Sequence, residues 1–170
     1  MATTQRVGDL EIDEDLAFTR REWTIQRVGW GVMLLIVVAA LLGLFGTGPL
    51  SDATAGGAEE GLRINYSRFI RHDGESTLEL QVDPGQVENG EVEVWIANGY
   101  LDAVQVQQIM PVPAEVRAAG DGKIFVFAVA DPLGPVSATF LLSPQGIGRL
   151  AGVAAAGDGP RVAFMQLIYP

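Results

Sequence analysis

Apolar positions along the chain follow two patterns, one continuous and one alternating. Residues 28–50 contain no charged side chain, and their centre, Val32 to Phe45, is almost wholly aliphatic. A bilayer core about 30 Å thick needs about 20 mostly apolar helical residues to cross it. A segment inside lipid must be helical to satisfy its own backbone hydrogen bonds. The continuous pattern therefore predicts a transmembrane helix over residues 28–50.

Glycine and proline predict where this helix ends. Gly46, Gly48 and Pro49 follow the aliphatic centre. Pro49 has no backbone N–H to donate, and its ring disfavours helical geometry at Gly48. We therefore expect the helix to end between Phe45 and Gly48.

Aromatic and basic residues predict the orientation of the helix. Tryptophan rings favour the headgroup layer, and Lys and Arg near a span favour the cytosolic side. Basic residues precede the span closely, whereas the next one after it is Arg63. The N-terminus is therefore predicted to be cytosolic and the domain after residue 50 to be periplasmic or extracellular. The predicted membrane-interface anchors are Trp23, Trp30, Arg20, Arg21 and Arg27.

A cleaved signal peptide is the alternative to a permanent anchor. Ala53-Thr54-Ala55 has the small-x-small pattern of a cleavage site, so processing after Ala55 stays open. The long charged segment before the span and the length of the uncharged run favour a permanent anchor. A buried helix of a globular core is disfavoured by the same uncharged run.

The N-terminal tail and the span each carry a further helical pattern. In the tail, residues 1–27, apolar residues from Ile12 onward recur at helical spacing, which predicts a short amphipathic helix. This helix either lies at the inner membrane surface or runs straight into the span. Within the span, Ala39, Gly43 and Thr47 recur every four residues, a pattern that lets a second helix approach closely. These three residues are a candidate helix–helix interface.

Residues 51–61 are small and acidic, which predicts a flexible linker, and from residue 62 the apolar period changes to two. The predicted turns are at 83–85, 89–90 and 98–99, where Gly, Pro, Asn and Asp cluster. We predict an all-β antiparallel sandwich over residues 62–170, immunoglobulin-like, with a small barrel as the alternative. The predicted strands, about eight in number, include 62–66, 78–82, 92–96, 104–106, 124–130, 136–142, 148–154 and 162–169.

Charge and cysteine content exclude several classes of function. The net charge is −10, and residues 52–170 carry 15 acidic and 7 basic residues, a net charge of −8. Such a domain is not expected to bind nucleic acid phosphates or an anionic leaflet. The chain has no Cys and one His, which removes thiol chemistry and most metal sites.

His72 with Asp73 is a candidate for general-base chemistry. Asp73-Gly74 is also a turn signal, which is the favoured interpretation. His72 with Met110 and Met165 lacks the Cys and second His of a blue-copper site, and the two Met are predicted to fill the core.

Acidic residues cluster near one predicted hairpin end. Asp83, Glu88, Glu91 and Glu93 lack the spacing of an EF-hand, so a solvated strand face is favoured over a calcium site. We predict no catalytic residue, no metal and no cofactor, and expect that the protein is not an enzyme.

Aromatic and arginine residues are the candidates for a partner surface. Trp95 alternates with Val94 and Ile96, which places it on the face predicted to be wet. It is expected to cap the edge of the core or to contact a partner. The candidate partner surface is Trp95, Tyr100, Arg68 and Arg71.

Two motifs around the span resemble a known group of proteins. Residues 22–30 read EWTIQRVGW and residues 43–51 read GLFGTGPLS. These motifs resemble those of uncharacterised single-span proteins of the bacterial inner membrane. The resemblance implies the topology and a bacterial inner-membrane location, and it implies no activity.

The sequence thus predicts a non-enzymatic, membrane-anchored protein whose outer β-sandwich binds another protein. The expected partner is an integral membrane protein or complex, of which this chain is an accessory subunit. The alternative is an extracytoplasmic ligand- or ion-binding module tethered to the membrane. An enzyme would have to use the carboxylates at 83–93 or Asp73.

Overall fold

The computed structural model describes residues 16–42, 48–129, 134 and 136–170, with side chains in the first helix from residue 22. The chain divides into two units, residues 1–40 and residues 41–170. The start of the amphipathic pattern at Ile12 lies outside the described residues.

The first element is one uninterrupted helix, α1, Leu16–Leu41. The helical pattern of the tail therefore continues without a break into the apolar segment. The predicted helix end between Phe45 and Gly48 is wrong, because α1 ends at Leu41 and Leu42 lies in a turn. The Leu42 carbonyl accepts a hydrogen bond from the Leu50 N–H at 3.2 Å.

Residues Glu22–Leu41 are long and apolar enough to cross a membrane, and none of them is buried inside the protein. Large apolar side chains of α1 have exposed fractions from 45% to 76%. A signal sequence near the N-terminus has the same length and composition. The helix therefore fits a membrane span or a signal sequence.

The predicted flexible linker is a strand, which corrects the domain boundary. Strand β1, Asp52–Gly57, pairs antiparallel over its whole length with β2, Leu62–Ser67. Pairing at a sheet edge requires backbone groups rather than large side chains, so a run of small residues can form it. Gly56, at φ +73°, lies so close to the Leu62 carbonyl oxygen that a Cβ would not fit. The folded domain therefore begins near residue 51 rather than at residue 62.

The remaining elements are β3 Phe69–Arg71, β4 Ser76–Val82, a 3-10 turn Pro84–Gln86, β5 Glu91–Ala97, α2 Asn98–Leu101, β6 Val104–Met110, β7 Glu115–Ala119, β8 Gly122–Ala128, β9 Val136–Pro144, β10 Gly148–Ala156 and β11 Val162–Tyr169.

The strands form two sheets, ordered β1-β2-β4-β9-β6 and β3-β11-β10-β5-β8-β7. Every described strand pair is antiparallel except β3 with β11. The two sheets do not close into one, so the β-sandwich prediction is confirmed and the barrel alternative is wrong. The immunoglobulin-like strand order stays a prediction.

The core lies between the two sheets and follows the predicted alternation. The Phe125 and Phe140 rings meet edge-on across it with centroids 5.1 Å apart. Because alternate residues of each strand point to opposite faces, each sheet has one inward and one outward set of side chains. The inward set includes Leu62, Ile64, Leu78, Leu80, Val82, Val92, Val94, Ile96, Phe127, Leu142, Phe164 and Ile168.

Several local predictions are corrected. Strands β1, β3 and β7 were not predicted, and Asn98-Gly99 begins the short helix α2 rather than a turn. The β3 and β7 strands form the two edges of their sheet, where side chains need not alternate. Met110 and Met165, predicted to be in the core, are exposed because they lie on outward positions of β6 and β11.

Candidate interaction face

The outward side of the six-stranded sheet, here called the outer face, brings together side chains from all six strands. Its members alternate with buried residues on every strand except β7, which has no buried residue, and the strand pairings place them in rows. Arg149, Leu167 and Phe69 form one row, and Ala155, Trp95, Ile124 and Arg117 form another. The outer face comprises Phe69, Arg71, Glu91, Glu93, Trp95, Ala97, Glu115, Arg117, Ile124, Val126, Ala128, Arg149, Ala151, Val153, Ala155, Ala163, Met165, Leu167 and Tyr169.

An apolar centre occupies the β3, β10 and β11 part of the outer face. Met165 is 54% exposed and Leu167 is 41% exposed. Phe69 and Val153 beside them are half-buried. The apolar centre is defined as Phe69, Ala151, Val153, Ala163, Met165 and Leu167, and it contains no charged residue. Contiguous exposed apolar surface on a soluble domain is typical of an interaction site.

Trp95 lies on the outer face, where its position on the strand predicted it, and it is held in place on three sides. Its indole N–H donates to the Ala119 carbonyl at 3.2 Å. Gly122 lies directly against the ring, where a Cβ would not fit. The Arg161 guanidinium lies 4.2 Å from the ring centroid, a cation–π contact. Trp95 is therefore a fixed, half-buried platform rather than a mobile side chain.

Arg161 is itself fixed by Asp121. Its two terminal nitrogens donate to the two Asp121 carboxylate oxygens at 3.2 and 3.3 Å. This bidentate geometry fixes the plane of the guanidinium as well as its position. The Ala155 side chain on the neighbouring strand is small, which leaves the space that Arg161 needs above Trp95.

Opposite charges lie at opposite ends of the outer face. The basic corner is Arg71 and Arg149, beside the apolar centre, and the acidic corner is Glu91, Glu93 and Glu115. The Gly157 N–H bonds to the Glu93 carbonyl, so Glu93 on β5 lies beside Gly157. Gly157 follows Arg149 by eight residues in the direction of β10. At about 3.3 Å per residue, the two corners are about 26 Å apart. Within the acidic corner, Arg117 pairs with Glu93.

The outer face is close to neutral within an acidic domain. With Arg161 and Asp121 included, it carries four basic and four acidic residues. The rest of residues 52–170 then holds the remaining 11 acidic and 3 basic residues. The charge surplus of the domain therefore lies outside the outer face, with Glu88 and Asp158 bordering its acidic corner.

The outward side of the five-stranded sheet is different, because hydrogen bonds connect its polar side chains. Thr54 donates to Asn65, and Asn65 donates to Glu79 at 3.2 Å. Gln81 and Ser137 donate to the other Glu79 oxygen at 3.1 Å each. Hydrogen bonds from Gln81, Asn65 and Ser137 lower the pKa of Glu79, because they stabilise its charged form. The β1, β2, β4 and β9 part of this side is therefore a paired polar surface, whereas Met110 on β6 is exposed.

Comparisons with known proteins add a likeness in fold. No protein-family model matches the sequence, and no curated protein matches it. Among solved structures, a cohesin module from a Clostridium perfringens ATCC13124 family 33 glycoside hydrolase is similar, with 13% sequence identity and a TM-score of 0.43. The match covers 68% of this chain and 98% of that module.

Tyr100 was predicted as a partner-surface residue, and this prediction is wrong. Helix α2 turns its side chain inward, where it is 1% exposed. Its hydroxyl donates to the Gln166 side-chain oxygen at 2.9 Å, and the Gln166 amide donates to the Ser67 carbonyl at 2.9 Å. Burial raises the pKa of Tyr100. Tyr100 is therefore a hydrogen-bonded core residue.

The two arginines predicted for the partner surface are exposed. Arg71 lies on the outer face, and Arg68 lies just before β3 at the same end of the sheet. Sequence reasoning missed Arg149, Met165 and Leu167. The sequence did contain a signal for Met165 and Leu167, because β11 carries no charged side chain on either of its two faces.

The membrane-related candidates are only partly within the described residues. Arg27 stacks on Trp23 with its guanidinium 3.6 Å from the ring centroid, and Trp30 is exposed. Arg20 and Arg21 lie in α1, with side chains outside the described set. In the candidate helix–helix interface, Ala39 lies in α1, whereas Gly43 and Thr47 lie outside the described residues.

His72 and Asp73 connect two turns. The His72 Nδ1 accepts the Gly146 N–H at 3.2 Å, and its Nε2 lies 3.3 Å from Asp73. The Gln145 amide donates to Asp73 at 3.2 Å. Asp73 has φ +55°, and the Gly74 N–H bonds to the Arg71 carbonyl, which confirms a turn here.

The acidic residues beyond β4 border a groove of about 360 Å³ next to the acidic corner. Glu88, Glu91, Glu93 and Asp158 line it, whereas the Asp83 carboxylate caps the following 3-10 turn. Among the residues that the structure describes, no group of three His, Cys, Asp or Glu side chains could hold a metal ion.

Proposed function

We propose that this chain is a non-enzymatic, single-pass membrane protein whose β-sandwich binds another protein through the outer face. In this role it is an accessory subunit of a membrane complex. The observation that carries the proposal is the exposed apolar centre with Trp95 beside it. Aromatic residues, Met and Arg are enriched in protein interfaces, and the outer face combines all three types.

The membrane location is supported by α1. Burying one large apolar side chain is worth about 1.5–3 kcal/mol, and the protein itself buries none of the Glu22–Leu41 segment. Lipid would cover these side chains. Arg27 precedes the most apolar part of α1, which supports a cytosolic N-terminus and an outer sandwich. The resemblance of residues 22–30 and 43–51 supports a bacterial inner membrane.

Co-purification from membranes tests this function. The tagged full chain, extracted in mild detergent, is expected to retain a stoichiometric integral membrane partner. Met165→Glu places a charge in the apolar centre and is expected to reduce recovery of that partner at least ten-fold. Thr77→Glu, on an exposed outward position of the five-stranded sheet, is the matched control and is expected to change nothing. Full recovery of the partner with Met165→Glu would overturn the proposal.

A further inference from the structure

We propose that the partner of the outer face is the outer face of a second copy of this chain, in a two-fold symmetric dimer. In this dimer, the basic corner of each copy lies against the acidic corner of the other. The inference rests on the proposed function, since it names what the same face binds.

The charge arrangement of the outer face is complementary to itself. A two-fold axis lying in the plane of the interface exchanges the two ends of the face. It therefore places Arg71 and Arg149 of one copy opposite Glu91 and Glu115 of the other. Symmetry forms this contact twice, and it places the apolar centre between the two charged contacts.

The charges needed for these contacts are not already paired within one copy. Among the described residues, no ion pair involves Arg71, Arg149, Glu91 or Glu115, whereas Glu93 is paired with Arg117. The groove of about 360 Å³ beside Glu91 gives an arginine side chain of the second copy an acidic recess to occupy. A guanidinium binds carboxylates there with paired hydrogen bonds.

The distribution of charge over the domain favours this face over any other for self-association. The outer face is neutral, and the net charge of −8 lies on the rest of residues 52–170. Two copies that met through another surface would bring like charges together. Two copies that meet through the outer face bring together neutral surfaces. Of the surplus acids, Glu88 and Asp158 border the acidic corner, where they face the basic corner of the other copy.

The area of the outer face is sufficient for a stable dimer. The six strands hold 39 residues, and at about 3.3 Å per residue and a strand spacing of about 4.8 Å they cover about 620 Å² in projection. A stable interface buries about 800 Å² of accessible surface on each partner, and accessible surface exceeds its projection. The outer face therefore matches the size of a standard interface.

Charge reversal tests the pairing directly. One variant carries Arg71→Glu with Arg149→Glu, and the other carries Glu91→Lys with Glu115→Lys. Each alone is expected to self-associate at least ten-fold more weakly than the wild type, because both corner contacts become repulsive. An equimolar mixture of the two is expected to restore the dimer, since both contacts then join opposite charges. The measurement is the protein mass of the full chain in mild detergent, by light scattering after size exclusion.

Matched controls show whether a loss of self-association comes from this pairing, from a change of charge elsewhere or from unfolding. Arg63→Glu with Asp52→Lys reverses two exposed charges of the five-stranded sheet and is expected to leave the dimer intact. Circular dichroism and Tm establish that each variant is folded. Folded variants that self-associate like the wild type, or a mixture that stays monomeric, would overturn the inference.

The result also distinguishes the inference from the proposed function. A wild-type chain that is monomeric alone, but loses a different membrane partner with Met165→Glu, would overturn self-pairing and leave the proposed function standing. A monomeric chain whose co-purified proteins are indifferent to Met165→Glu would overturn both. Dimers that survive every outer-face variant would overturn the inference in favour of contacts elsewhere.

Discussion

At the scale of single residues, a few side chains decide which surfaces are buried and which are open. Tyr100 follows an Asn-Gly pair that predicts an exposed turn, yet α2 directs it into the core against Gln166. Trp95 is on the predicted side of its strand, but its fixed position depends on the lack of a side chain at Gly122. The strand period can be read along the chain, whereas such tertiary contacts cannot.

The buried Tyr100 hydroxyl predicts a loss of stability at alkaline pH. Its raised pKa means that the folded chain keeps a proton that the unfolded chain releases near pH 10. Unfolding then releases a proton, so the free energy of unfolding falls as pH rises above about 10. Between pH 10 and 11 this single group accounts for a loss of about 1 kcal/mol.

Tyr100→Phe isolates this effect. The variant is expected to lose about 1–3 kcal/mol at pH 7, because the Gln166 oxygen is left unpaired, and to show a shallower decline above pH 10. Denaturant unfolding of the full chain across this pH range measures both. Tyr66→Phe, which removes a half-buried hydroxyl, keeps Tyr100 and should keep the wild-type decline. An unchanged decline in Tyr100→Phe would assign the alkaline loss to other groups.

At the scale of elements, the alternation of apolar and polar residues predicted every strand that has one buried face. It failed for β1, β3 and β7, three of the four edge strands. An edge is held by its backbone and tolerates the small side chains of β1 and the exposed ones of β7, and β3 has only three residues, too few to show a period. The outer face was only partly predictable, for a related reason. In β11 neither alternating set carries a charge, and the one polar side chain, Gln166, is in the set that faces the other sheet.

The close contact between β1 and β2 predicts that Gly56 resists substitution. Gly56 and Gly90 both have positive φ, at +73° and +80°, but only Gly56 lies against a backbone carbonyl. Gly90→Ala is therefore expected to cost about 1 kcal/mol of backbone strain. Gly56→Ala is expected to cost at least twice as much, since the strand must also move. Thermal unfolding compares the two, and equal costs would show that β1 does not pack as described.

At the scale of the whole molecule, the absence of cysteine makes the proposed topology directly measurable. A single Thr77→Cys on the sandwich is expected to react with a membrane-impermeant maleimide in intact cells or spheroplasts. A single Ala2→Cys is expected to react only after the membrane is permeabilised. The cysteine-free wild type is the control for background. The reverse pattern of labelling would place the sandwich in the cytosol and reject the orientation.

The short edge strand β1 has a mechanical consequence for a protein tethered at its N-terminal side. Tension arriving from α1 first reaches Ser51, whose carbonyl accepts the Arg68 N–H, and then the end of the ladder where Asp52 is paired with Ser67. A pull across the strands opens the six residue pairs between β1 and β2 one after another from this end. The sheet behind β1 keeps its strands, so the first strand can peel away under load and re-form when the load is removed.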